Sequence, residues 1–389
     1  MKNFVLFSAA AMLAAACAKE AAGPVPPDGG TSTATLSEVA RIMSELPLEA
    51  EHLMEVYDAV GSSSDNGYDE EYMMNDLFES PGAGVGDERT GTKAASYSRP
   101  IRELFAAYLA ENPPTRAGAG GVEDYIEELS ASDVQIYWPY SEDWDGKTLP
   151  VITYDPGYGA ETNMGYVLQY ADGVATVTDS VLVDEALAMT RPVWVINRND
   201  DAGFTPLDMF VKSAASAGEL PQTKVAISGG EEESRMLYVK SFQMLRHYDS
   251  WFGGASEFFI KCGAADGFRA ETEEDLKLYN PSVTDFMVVV KRRQLGKILP
   301  LDVLLLTSLT PQMENIAFMI TEDDGGESTS WKCSAVVKYN SRSYGFEIEI
   351  PYRDNDDIVW RGQLSSSFFE GRDEVSGRFG DVVVTFALR

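Results

Sequence analysis

Asn197, Asn199 and Asp201 set oxygen donors at alternate positions of one short loop, with Gly203 beyond them and Asp208 eleven residues after Asn197. Alternating oxygen donors around a glycine are how a loop wraps a calcium ion. The match to the helix–loop–helix calcium loop is partial. Glycine falls at the seventh position of the loop instead of the sixth, the last donor is Asp instead of Glu, and the flanking residues read as β. A polar turn after a strand is the competing reading. Two further acidic turns, Glu322-Asp323-Asp324-Gly325 and Asp354-Asn355-Asp356-Asp357, suit a calcium-dependent edge of a β-sandwich. Calcium is the one cofactor that the residue pattern suggests.

Tyr137, Trp138, Tyr140 and Trp144 crowd together beside Ser141-Glu142-Asp143. Exposed aromatic rings can stack on sugars or anchor a protein partner. Trp138, Tyr140 and Trp144 are therefore candidate ligand-binding residues, for a protein or a carbohydrate. Closing a small β core is the competing role.

The other routes to chemistry are thin. The chain has two histidines, His52 and His247, and no His-Glu-x-x-His or Cys/His cluster, which argues against a zinc site. Arg246-His247-Tyr248-Asp249-Ser250 holds the residue types of a hydrolase triad, but neighbours in one strand or turn rarely converge. Gly253-Gly254-Ala255-Ser256-Glu257 is not a nucleophile elbow. Gly82-Ala83-Gly84-Val85-Gly86 neither follows a strand nor opens a helix, so it reads as a loop and not a phosphate cradle. With 62 acidic residues, some carboxylate pair always falls at a workable distance, so pairs carry no information. No catalytic residue is assigned.

The 62 acidic residues face 31 basic ones, for a net charge of −31. A surface of that sign repels phosphate backbones, since nucleic-acid binding relies on Lys and Arg displacing counterions. Nucleic acid is excluded as a partner, and anionic lipid head groups are disfavoured on the same ground.

Lys2 precedes an apolar run from Phe4 to Ala16 that Ser8 alone interrupts. Such a run is shorter than the ~20 residues a helix needs to cross a bilayer, and it reads as a signal peptide over 1–16. Ala14-Ala15-Ala16-Cys17 resembles a lipobox, in which the cysteine takes the lipid. Leu13 stands four residues before Cys17, one further than the usual pattern. Cleavage after Ala16-Cys17-Ala18 by an ordinary signal peptidase, which fits the small-x-small rule, is the alternative. Residues 17–35 are rich in Pro and Gly and read as a tether. The expected location is the cell envelope, with the chain held to a membrane through its lipid, at the outer membrane or cell surface.

These residues need elements to hold them. Thr35-Leu36-Ser37-Glu38 is a capping box. Apolar stripes at helical spacing follow, so 36–130 reads as helical, with a long loop over 61–96. From 131 the period shortens to that of strands, and 131–210 reads as a small antiparallel β domain. Residues 211–235 read as a linker. Nine strand candidates within 236–389 read as a β-sandwich. The fold class expected is α+β, mostly β. Alternation sets Cys262 and Cys333 on apolar strand faces, and two free thiols are favoured over a bridge.

The runs Val134–Tyr140, Arg191–Asp200, Thr321–Gly326 and Asp357–Gly362 resemble those of uncharacterised Bacteroidetes-type envelope lipoproteins. The resemblance covers most of the chain beyond the signal peptide. It implies the compartment and the source group, and it carries no catalytic motif. The function expected is a non-enzymatic binding or scaffold module. The alternative is an envelope hydrolase using carboxylates, with a metal assisting.

Overall fold

The computed structural model describes residues 34–65, 70–79, 99–113, 121–199 and 234–389. Cys17, Asp201, Asp208 and nearly all of the tether and linker lie outside these residues. The fold is α+β and mostly β.

The first sheet has the order β1 (Glu71–Met73), β2 (Val134–Tyr137), β6 (Val193–Arg198), β3 (Val151–Tyr154), β4 (Asn163–Ala171), β5 (Val174–Val183). It is not purely antiparallel. β3 and β6 pair in parallel, with Val151 opposite Val193. The chain between them leaves by the β4–β5 hairpin and returns through α6 (Glu185–Ala188), so β6 enters the sheet from the same end as β3.

Five helices precede or flank β2: α1 (Leu36–Glu45), α2 (Ala50–Asp65), α3 (Met74–Glu79), α4 (Ile101–Glu111) and α5 (Val122–Ser130). α1 begins where expected, with the Thr35 hydroxyl accepting from the Glu38 N–H at 3.3 Å. Its buried side chains Val39, Ala40, Ile42 and Met43 recur at helical spacing. They pack with Ile136, Trp138, Ile152, Trp194 and Ile196 from the sheet. The helical region and the small β region thus share one core. β1 and α3 fall in the stretch read as loop; only a three-residue strand with no apolar alternation marks β1.

The C-terminal part is the expected sandwich. One sheet runs β10 (Leu299–Leu309), β7 (Arg235–Met244), β16 (Val382–Leu388), β15 (Glu374–Phe379). The other runs β13 (Arg342–Arg353), β12 (Ser328–Tyr339), β11 (Met313–Glu322), β8 (Ser256–Ala264), β9 (Ser282–Val290), with β14 (Asp357–Ser365) also paired to β11. Phe242, Phe258, Phe318 and Phe386 interdigitate between the sheets. All nine strand candidates are present. β15 is not among them, because Val375 and Phe379 are its only buried apolar side chains. It exists through its hairpin to β16. At the turn, Gly380 has φ +60, and a Cβ there would meet the Val359 carbonyl oxygen at 2.4 Å.

Cys262 and Cys333 are free and occupy different cores. Cys262 lies in the main sandwich core, whereas Cys333 packs with the cluster of Ala317, Met319, Ile348 and Ile350 outside it.

The second face of the first sheet is not bare. Tyr137, Val151, Val183, Val193 and Val195 point away from the helices and receive Trp251 and Phe252, from the loop between β7 and β8. The Asn197 amide donates to the carbonyls of Phe252 and Gly253, both at 3.2 Å. Arg292 reaches back from the sandwich and pairs two-pronged with Glu185, at 2.7 and 3.1 Å.

No helix among the described residues is long and apolar enough to cross a membrane.

Candidate functional site

The two acidic turns meet. In the β11–β14 ladder Glu322 stands opposite Asp357, so the turn after β11 and the turn before β14 lie side by side at one corner of the sandwich. Asp249, from the β7–β8 loop, joins them. Carboxylate oxygens of Asp249, Glu322 and Asp324 all lie within 4.8 Å of one another. Among the described residues this is the only group of three such side chains that converges so closely.

The three acids differ in environment. Glu322 is fully buried, Asp249 is half-buried and Asp324 is exposed. Asp249 is fixed from two sides: its Oδ2 accepts from the Ser256 hydroxyl at 3.3 Å, and its carbonyl accepts from Arg292 at 3.2 Å. Its carboxyl also lies against that of Glu322. Behind the trio sit Asp323 and Asp356, which contact each other and are 2% and 7% exposed. One oxygen of each is engaged: Asp323 Oδ1 accepts from the Gly325 N–H at 3.2 Å, and Asp356 Oδ2 from the Arg353 N–H at 3.0 Å. The second oxygen of each, Asp323 Oδ2 and Asp356 Oδ1, is buried without a hydrogen-bond partner among the described residues. An orphaned buried carboxylate oxygen is costly, and a bound cation is one way to satisfy it.

Burial and mutual repulsion raise the proton affinity of the corner. Partial desolvation of its carboxyl among the neighbouring acids, then the charges of Asp249, Asp357, Asp356 and Asp323, push Asp324 up to about 7. Burial and the neighbouring Asp323 push Asp356 up to about 6. Burial also raises Asp249. The positive charges at hand are few: the Arg353 guanidinium stands 3.7 Å from Asp323, and Lys261 is 3.7 Å from Asp285. An all-oxygen set with no imidazole or thiolate suits a hard cation such as calcium or magnesium and not zinc.

The sequence candidates are placed differently. Asn197 is buried in β6, with its amide nitrogen tied to the Phe252 and Gly253 carbonyls. Asn199 donates to Gln135 Oε1 at 3.1 Å. Both amides thus hold elements together in the structure, while Asp201 and Asp208 lie outside the described residues. Trp138 is 1% exposed and closes the helix–sheet core against Trp194, with ring centroids 5.6 Å apart. Tyr140 and Trp144 are half-buried and border a pocket with it. His52 is structural: Nδ1 accepts from the Glu49 N–H at 2.8 Å, and Nε2 meets the Arg99 carbonyl at 2.7 Å. Asp249 escaped the sequence reading as a metal ligand. Its run of mixed residue types holds no spacing signal, and its contacts at the corner come from Ser256 and the distant Arg292.

No family model and no curated protein matches the chain.

Proposed function

We propose that this is an exported envelope protein, anchored through a lipid on Cys17 at the outer membrane or cell surface. It acts as a non-enzymatic binding or scaffold module whose sandwich corner takes a divalent cation. The convergence of Asp249, Glu322 and Asp324, backed by the orphaned oxygens of Asp323 and Asp356, is the observation that carries the cation. Calcium is favoured over magnesium, because three unevenly buried carboxylates offer an adaptable oxygen shell and not a tight octahedron.

Calcium a few-fold above its Kd should stabilise the fold by about 1 kcal/mol, or about 2–4 °C in Tm. Equal magnesium should do less, and Asp324→Asn should remove the calcium effect. Ligands must be deprotonated to bind metal. Asp324 titrates near 7, so the shift should be larger at pH 8 than at pH 6. Differential scanning fluorimetry in EDTA, calcium and magnesium reads all three. Identical shifts from both ions, surviving Asp324→Asn, would reduce the corner to charge screening.

A second reading rests on the same convergence of Asp249, Glu322 and Asp324. Clustered carboxyls, with Asp324 raised to about 7 by partial desolvation and its acidic neighbours, also suit a carboxylate hydrolase with a metal assisting. That reading requires turnover of an ester or glycoside that Asp324→Asn abolishes.

The anchor is tested separately. Cys17→Ser should move the protein from the membrane fraction to the soluble fraction and end palmitate labelling. Unchanged fractionation and labelling would remove the lipid from the proposal.

A further inference from the structure

The loop after β2 and the loop before β6 enclose a pocket of about 170 Å³ on the first sheet. Tyr140 and Trp144 form its aromatic wall with the buried Trp138 behind them, and Asp143, Thr148 and Arg191 supply polar groups. We infer that this pocket binds a single neutral sugar ring, such as the terminal pyranose of a glycan.

Size comes first. A cavity of about 150 Å³ accepts one benzene ring. The pocket is therefore of a size for one six-membered ring, whereas drug-sized ligands fill about 300 Å³ or above. The wall is rigid. The rings of Tyr57, Trp138 and Trp144 pack at centroid distances of 5.2 to 5.9 Å. The Trp144 indole N–H donates to the Thr148 carbonyl at 2.8 Å, and Tyr140 donates to Glu185 at 3.0 Å. Both aromatic side chains thus have their polar atoms engaged within the protein, and both border the pocket.

The polar groups then select the ligand. Asp145 is fully engaged by the Lys147 and Thr148 N–H groups and the Thr148 hydroxyl, at 2.7 to 2.9 Å. Two charged side chains are left. Arg191 gives one hydrogen bond, from Nη2 to the Leu149 carbonyl at 3.3 Å, and its Nε–H meets no acceptor among the described residues. Asp143 lies at the rim and is exposed. Arg191 and Asp143 form no ion pair with each other. A carboxylate ligand would suit Arg191 but would face Asp143 and Asp145. An ammonium ligand would suit Asp143 but would face Arg191. A hydroxyl both donates and accepts. A ring bearing several hydroxyls suits both the Arg191 donor and the Asp143 acceptor without adding charge, and its apolar C–H face suits the aromatic side chains of the lining.

The test uses the intact chain and the methyl glycosides of glucose, galactose, mannose and N-acetylglucosamine. Binding is followed by saturation-transfer NMR and by quenching of tryptophan fluorescence. At least one should bind saturably with a Kd of about 1 mM. Asp143→Ala should weaken it at least tenfold with Tm unchanged, because the side chain is exposed; Arg191→Met should do the same. Methyl glucuronide and glucosamine should bind more weakly than their neutral parents. Binding should persist in EDTA and in Asp324→Asn, which separates this site from the cation site. Three results would each overturn the inference: no neutral glycoside binding, affinity unaffected by Asp143→Ala, or a charged sugar binding tighter than the neutral one.

Discussion

Replacing Trp251 by Ala should lower the stability of the whole fold by about 3–5 kcal/mol, the range for a large aromatic removed from a core. The indole is fully buried, yet it belongs in sequence to the sandwich and in space to the first sheet. It packs on Phe252 with ring centroids 4.0 Å apart, and its N–H donates to the Glu161 carbonyl at 2.9 Å. Truncation would leave a cavity against Tyr137, Val151, Val193 and Val195 and an unmet carbonyl at Glu161. Relaxation cannot close the cavity from the helix side, because the strand residues alternate and the helices hold the other face. Equilibrium urea unfolding reads the effect as a fall in midpoint at unchanged slope. Trp251→Phe should fall between the two. A loss below about 1 kcal/mol for Trp251→Ala would mean that the two sheets do not depend on this wedge. The substitution should also weaken the calcium response, since Asp249 is carried on the same loop.

Glu55→Gln should stabilise the protein at pH 8 by about 2–3 kcal/mol and leave it unchanged near pH 4.5. Glu55 is 2% exposed; Oε2 accepts from the Ile101 N–H at 2.9 Å, at the start of α4, and Oε1 has no partner among the described residues. Burial pushes its carboxyl up from the ordinary 4.5 to about 7, against the pull of the Ile101 N–H and with help from Glu51. In the unfolded chain the group ionises near 4.5. Between these values the folded state keeps a proton that the unfolded state has lost, so stability falls as pH rises. Each unit of difference is worth about 1.4 kcal/mol, and partial solvent screening brings the total to about 2–3 kcal/mol. The loss is complete above pH 7 and absent below 4.5. Asp249, Asp324 and Asp356 are shifted in the same direction, so the quantity to compare is the difference in stability between the parent chain and the Glu55→Gln variant across pH. Parallel curves, or a less stable variant at pH 8, would contradict this account.

Much of the architecture was open to inspection in the residue order because its signals are local. The hydroxyl of Thr35 and the period of Val39, Ile42 and Met43 define α1 without any partner element. Ile348 and Ile350 inward with Glu347 and Glu349 outward define β13, because a strand's side chains alternate wherever one face is buried. The acidity of the turns at 322–325 and 354–357 was equally visible. Their meeting was not, since it depends on the register that sets Glu322 opposite Asp357. A slip of one residue would turn these side chains to the other face. Asp249 is further from any local signal: it is held at the corner by Ser256 and by Arg292, which itself pairs with Glu185 of a segment far earlier in the chain. The parallel pairing of β3 with β6 and the existence of β15 are likewise products of partners and not of period. The aromatic run at 137–144 shows both levels at once. Its composition marked a candidate ligand site, while the fold decided that Trp138 closes the core and that Arg191, unremarkable in sequence, completes the pocket beside it. Periodicity determines which face of an element is apolar; convergence of polar side chains depends on contacts between distant segments, which only the folded chain makes.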